Sequence, residues 1–376
     1  MISVFGSSIG EEEIAAATAC LKSQWMGAGP IVEEFEHAFA ARLQLPNFAM
    51  VNSGSNALYL AVKILDLPPG SEVILPSFTW IACAQAILLN GCTPVFADVD
   101  LHTHNITAGA IRPHITPRTA AIMVVHYAGK PVDMEPILAL GFPVIEDAAH
   151  AVDSTLYNRP CGSLADVGIF SFDAVKNLAC PEGGGLTARD PARFARARAL
   201  RYCGIEKSGF AAASTTAGRW WEYAIRDVAP KLLSNDLCAA VALAQLHKLD
   251  ALQRRRQEIW QRYQHELAPL DWLVTPANPA PHERHSYFTY CLRLPHPGAR
   301  DRFAKTLYDN GIYTTLRYHP LHQNKIYNSN SILPISDQLN EEALSIPIHP
   351  RLSDDDVTHI LNTIRATNPL AASTPA

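Results

Sequence analysis

Four segments restrict the fold most. "FAMVNSGSNALYLAVKIL", "SEVILPSFTWIACAQAILLNGCTPVFADVD", "TAAIMVVHYAGKPVDM" and "GFPVIEDAAHA" each open on a short, fully apolar run that passes into polar residues. The first two continue into helical patterns, with Leu58, Ala61, Val62 and Leu65 on one face of the first. Strands with no polar alternation need cover on both faces, so these segments predict an α/β fold with a mostly parallel sheet between helices. Ligands in such sheets gather at the carboxyl ends of the strands, so the polar residues just after the runs should converge on one site.

At 376 residues the chain exceeds the ~250–300 at which a single core stops growing, and two lobes are expected. The second half changes character. "SNDLCAAVALAQLHKLDALQRRRQEIWQRYQ" predicts a long helical stretch from Ser234 and Asn235, and "PANPAPHERHSYFTYCLRL" introduces a strand. "RDRFAKTLYDNGIYTTLRY" predicts a helix, Gly311 and a further strand. The last helix opens with the capping box Ser353–Asp356 and buries Val357, Ile360, Leu361 and Ile364. The expected division is a large domain over 1–245 and a smaller α+β domain over 246–376, disordered from about 368. At the other end, "GEEEIAAATACLKS" puts Ile14, Ala17 and Leu21 on one helical face.

A net charge of −5 and the absence of a basic stripe argue against a nucleic-acid partner. Arg254, Arg255 and Arg256 are expected on a solvated helix face. No run reaches the ~18 apolar residues of a membrane span. The acidic start "MISVFGSSIGEEE" lacks a secretory pattern, and the eight cysteines show no CxxC spacing. These features predict a cytoplasmic protein with reduced thiols, no disulfide framework and no zinc site.

Four groups suit one ligand. In "NSGSNAL", Gly54, Ser55 and Asn56 lie between a strand and a helix start, where free N–H groups favour an anion; plain capping by Ser55 or Asn56 is the alternative. Asp147 in "VIEDAAHA" ends an apolar strand, where a buried carboxylate wants a cationic partner, and His150 stands three residues on. Trp80 in "PSFTWIA" could cover a planar ring or belong to the core. In "FSFDAVKNLACPEGGG", Lys176 offers one amine between a strand-like run, with Ser171 in it, and a glycine turn. A desolvated lysine is the standard route to a Schiff base. Pyridoxal 5'-phosphate (PLP) meets all four demands, with its phosphate at the helix start, its ring nitrogen at Asp147, its face on Trp80 and its aldehyde at Lys176.

The order and wording of these motifs also resemble a family. "SIGEEEI", "NSGSNALYLAV", "EDAAHA", "SFDAVKNLACPEGG", "NDLCAAVALAQL", "RYHPLH" and "LSIPIHPRLSDDDV" stand where the DegT/DnrJ/EryC1/StrS group of fold-type I, PLP-dependent sugar aminotransferases carries its motifs, from about residue 8 to 365. The resemblance implies a seven-stranded sheet and PLP held as an internal aldimine on Lys176. It implies Asp147 as the pyridinium partner and His150 near the cofactor's phenolic oxygen. Ser171, Ser55 and the amides of Gly54 and Asn56 become phosphate ligands, and Trp80 covers the ring.

The sequence departs from the family at two places. Asp173 replaces the usual histidine of "SFH", and Lys231 stands where many relatives carry asparagine. The family's residue at that second position reaches the cofactor phosphate of the neighbouring subunit, which implies a homodimer with shared sites. The implied donor is L-glutamate and the acceptor a nucleotide-linked keto sugar, best matched by a dTDP-4-keto-6-deoxyhexose aminated at C4. Amination at C3, another nucleotide and an inosose remain open. Tyr318, His319 and His322 in "TTLRYHPLH" are candidate substrate contacts, and "RYCGIEKSGF" and "GRWWEYAIRD" candidate walls.

Three rivals are weaker. A dinucleotide-dependent dehydrogenase lacks a G-x-G-x-x-G after the first strand. Dehydratase relatives replace the lysine by histidine, whereas Lys176 is kept. A PLP-binding regulator would show no glutamate half-reaction.

Overall fold

The computed structural model describes residues 1–205 and 223–368. The "EKSGF" and "GRWW" parts of the two candidate walls, and the tail beyond 368, lie outside the described residues. The four apolar segments form β1 (Ala49–Val51), β2 (Glu72–Pro76), β3 (Thr93–Ala97), β4 (Thr119–Val125) and β5 (Val144–Asp147). Two more strands, β6 (Val167–Ser171) and β7 (Gly184–Ala188), complete a seven-stranded sheet of order β1-β7-β6-β5-β4-β2-β3. β7 runs antiparallel to both its neighbours, and every other pairing is parallel.

Successive strand residues alternate between two apolar layers. Ile74, Ile122, Val124, Val144 and Phe170 face one core, while Val73, Leu75, Met123, Val125, Ile145 and Ile169 face the other. The first layer is closed by α2 (Pro30–Arg42) and α6 (Asp236–His247). The second is closed by α3 (Gly54–Lys63), α4 (Ile81–Leu89) and α5 (Pro191–Leu200). Cover on both faces is what uninterrupted apolar strands require.

A third core gathers residues of α7 (Leu249–Leu267), β8 (Tyr290–Arg293), α8 (Ala299–Asp309), β9 (Ala343–Ile346) and α9 (Asp354–Ala366). The Ser353–Asp356 capping box forms, and Val357, Ile360, Leu361 and Ile364 are buried.

Four local expectations need correction. The long helix after Asn235 is two helices, α6 and α7, divided at Lys248, whose ammonium binds Glu13 at 2.6 Å. The strand expected after Gly311 is reduced to single bridges, Ile2 with Ile312 and Thr315 with Ser345; β8 pairs instead with β9. On α1 (Glu11–Lys22), Ile14 and Leu21 are exposed and Glu13 is buried, because its carboxylate accepts from Gly10 N, Gln245 and Lys248. Arg256 is buried rather than solvated, donating to the Ile348 carbonyl at 2.9 Å. No described helix is long and apolar enough to cross a membrane.

Candidate active site

The carboxyl ends of β4, β5 and β6 and the N-terminal end of α3 surround a cavity of about 510 Å³. Its walls carry Gly54, Ser55, Trp80, Asp147, His150, Ser171, Lys176 and Tyr318. Segments remote in sequence are thus brought together by the strand order, since Asp147 lies in register with Val125 on β4 and Ile169 on β6.

Ser53 is the N-cap of α3: its Oγ accepts from Asn56 N at 3.1 Å. Capping therefore falls two residues before Ser55 and three before Asn56. The Asn56 side chain turns to Asn52 at 2.7 Å, so Asn56 has both its amide and its side chain engaged locally. The N–H groups of Gly54 and Ser55 have no acceptor within the helix, as at any helix start. A Cβ on Gly54 would sit 2.7 Å from Ser171 Cβ, and one on Gly184 would sit 2.4 Å from Gly54 N. The glycines after Lys176 thus serve close packing: Gly184 and Gly185 begin β7 and let β6, β7 and α3 meet at the anion-favouring end.

Asp147 is buried, and burial raises its carboxyl above the usual range. Among the described residues, only Ala149 N, at 2.9 Å, and the Cys83 thiol, at 3.2 Å, donate to it. His150 stacks on Phe288 with centroids 4.0 Å apart, and its Nε2 meets the Tyr318 hydroxyl at 3.0 Å. Burial holds it well below the ordinary imidazole range, and its Nδ1 has no hydrogen-bond partner among the described residues. Trp80 is half exposed, its ring 5.5 Å from that of Tyr318.

Lys176 sits in a turn closed by its own N–H donating to Asp173 O at 2.9 Å. Asp173 Oδ1 accepts from Val175 N at 3.1 Å, so the residue that departs from the family shapes this turn. Asn177 anchors the next position through Gln253 and the Ser286 carbonyl. Burial, followed by the charge of Arg317, brings the lysine amine down to about 8, against the opposing pull of Asp147 and Asp173.

Three predicted residues lie elsewhere. His319 is exposed and meets Asn340 at 3.0 Å. His322 is clasped between Ser77 at 2.7 Å and Asp337 at 3.1 Å. Lys231 is exposed, bridging to Tyr202 outside this chain's cavity. Conversely, Arg317 and Thr79 line the cavity, while Cys83 and Phe288 contact its polar groups; sequence reasoning missed all four. Arg317 adjoins a singled-out tyrosine, but nothing in its local pattern separates it from a surface arginine.

The cavity fits PLP on its own terms. Among the described residues it has a buried carboxylate short of donors, an imidazole nitrogen without a partner, a lysine amine of lowered basicity and a helix whose first residue, Gly54, has no room for a Cβ.

The model of the DegT/DnrJ/EryC1/StrS aminotransferase family matches residues 7–365. Over 365 residues the chain is 38% identical to a dTDP-4-dehydro-2,3,6-trideoxy-D-glucose 4-aminotransferase from Saccharopolyspora spinosa, covering 95% of this chain and 94% of that protein. The crystal structure of the aminotransferase TlmJ from Streptoalloteichus hindustanus superposes with a TM-score of 0.93 at 39% identity, over 100% of both chains. The PLP form of Spr1654 from Streptococcus pneumoniae superposes at 0.88 with 28% identity, over 96% of this chain and 97% of that one.

Proposed function

This chain belongs to the DegT/DnrJ/EryC1/StrS aminotransferase family, and from that premise we propose that it transfers an amino group from L-glutamate to C4 of a dTDP-4-keto-6-deoxyhexose, with PLP on Lys176. The single observation that carries this reading is the convergence of Lys176, Asp147 and the α3 start on one cavity. The printed activity of the Saccharopolyspora relative supports the sugar and the carbon, and the PLP form of Spr1654 supports the cofactor.

When bound, PLP supplies an aldehyde that exchanges amines and a ring that withdraws electrons from the reacting carbon. Asp147 would hold a proton on the ring nitrogen, and the cation gained there would offset the desolvation that now raises its carboxyl. The amides of Gly54 and Ser55, with the hydroxyls of Ser55 and Ser171, would bind the phosphate, and His150 Nδ1 is free to donate to a phenolic oxygen. Trp80 would cover the ring from the cavity's open side. Lys176 would carry the cofactor and, once released, move the proton between the donor's α-carbon and the cofactor, because an amine near 8 is in part neutral at pH 7.

A homodimer is part of the proposal. Ile14, Leu21, Trp25, Met26 and Ile81 are exposed apolar side chains of one protomer, and Lys231 outside the cavity is free to serve the partner's phosphate. The reading is tested by incubating the PLP-loaded protein with L-glutamate and dTDP-4-keto-6-deoxyglucose and identifying the product by NMR. A 4-amino sugar is expected; glutamate consumption with no amino sugar formed would contradict the proposed acceptor.

A further inference from the structure

Of the two groups that donate to Asp147, the thiol of Cys83 is the one whose chemistry the roles above leave unused. Cys83 is fully buried as the third residue of α4, one turn on from Thr79 and Trp80 in the cavity wall. Its sulfur lies 3.2 Å from Asp147 Oδ2 and 3.5 Å from Thr79 Oγ1. An ionised carboxylate can only accept, so the single thiol proton points at Asp147 and the Thr79 hydroxyl donates to the sulfur. The three side chains form one chain of donors that ends on Asp147.

Other thiols are placed differently. Cys20, Cys92 and Cys180 donate to backbone carbonyls, where no charge is at stake. A thiol is a weak donor, and beside a carboxylate that weakness has a consequence. Three strong donors surround Glu146, the neighbour of Asp147, and draw on its charge. A thiol fixes the direction of Oδ2 while leaving it basic, and Ala149 N fixes Oδ1. Burial, and then the charge of Asp147, hold the Cys83 thiol well above its ordinary range, so it stays a donor and does not become a thiolate.

We propose that Cys83 is a positioning residue: it aims the Asp147 carboxylate at the cofactor's ring nitrogen while leaving the carboxylate's charge to the proton held there. The inference rests on the aminotransferase reading, which gives Asp147 that proton. Burial raises the Asp147 carboxyl, and Ala149 N and then Cys83 lower it. Lys176, in the turn after β6, His126, at the end of β4, and Tyr318 are the other titratable groups that act on it or feel its charge.

The test compares Cys83→Ala and Cys83→Ser with the wild type, with melting curves to verify folding. In the apo-protein, NMR of carboxyl-labelled aspartate follows the titration of Asp147. Cys83→Ala removes a bond to the ionised form, so Asp147 should titrate at higher pH than in the wild type. Cys83→Ser, a stronger donor of nearly equal size, should move the titration to lower pH. In the PLP-loaded protein both variants should lose about fivefold or more in kcat, one through lost aim and one through lost charge, with both KM values within about threefold. A residue that only fills space would move the two titrations the same way or not at all, and either result would overturn the inference. If Cys83→Ala does not fold, the serine variant decides alone, and an unmoved titration in it sinks the idea. A wild type that takes up no PLP overturns the parent reading and this inference together, whereas normal uptake with unmoved titrations overturns this inference only.

Discussion

Glu146 and Asp147 are neighbouring carboxylates on one strand, both buried, on opposite faces of the sheet. Glu146 is fully satisfied: His126 Nε2–H donates at 3.0 Å, Gly162 N at 2.8 Å and Ala165 N at 2.6 Å. The other nitrogen of His126, Nδ1, accepts from Val132 N at 3.0 Å, which orients the ring toward Glu146. Asp147 has one amide and one thiol, and beyond them a cavity with a lysine. Glu146 is closed off by donors of its own chain, whereas Asp147 is left short of them, as its proposed binding role requires, and the two faces of β5 display both cases side by side.

Lys176→Ala should break that contrast most completely. Transamination is expected to fall by about a thousandfold or more, with little change in melting temperature, because among the described residues the amine makes no hydrogen bond or ion pair and only faces the Phe288 ring at 4.9 Å. The paired substitutions sharpen it. Asp147→Asn should cost about a hundredfold or more in rate, yet leave stability unchanged or raised, since it removes a charge that burial disfavours. Glu146→Gln should do the reverse, losing about 2–3 kcal/mol in urea melts with a small effect on rate, because an amide nitrogen would face donors. Similar effects from the two would show that the faces do not differ in role.

Gly54→Ala forces a methyl against Ser171 and should cost about 1–3 kcal/mol together with much of the cofactor affinity, measured by equilibrium titration. The smallest effect concerns pH. With the Lys176 amine at about 8, only its neutral form attacks an aldehyde. Covalent capture of PLP by the apo-protein should therefore quicken about tenfold from pH 6 to 7 and level off above 8. Stopped-flow absorbance follows it, and a midpoint near the ordinary lysine value would mean that the amine is not desolvated.

The sheet was legible because its strands are apolar throughout and stop abruptly, and such runs have few alternatives. The small second sheet was not, because the chain after Gly311 looks extended whether or not it pairs, and β9 was visible only as a motif. The cavity's proposed cofactor end was readable wherever a residue closes a strand or opens the helix after one, as Asp147, Ser171 and Gly54 do. The substrate end was not. His319 and His322 lie in the right segment but turn to Asn340, Ser77 and Asp337, partners decided by tertiary packing. Arg317 escaped notice because its distinction, burial between two rings without an acid, exists only once Phe5 and Phe288 arrive from distant parts of the chain.

The most direct measurement is reduction of the PLP-loaded protein with borohydride, followed by peptide mapping. The account predicts one pyridoxyl label per chain, on Lys176. A label on another lysine, or none at all, would contradict it.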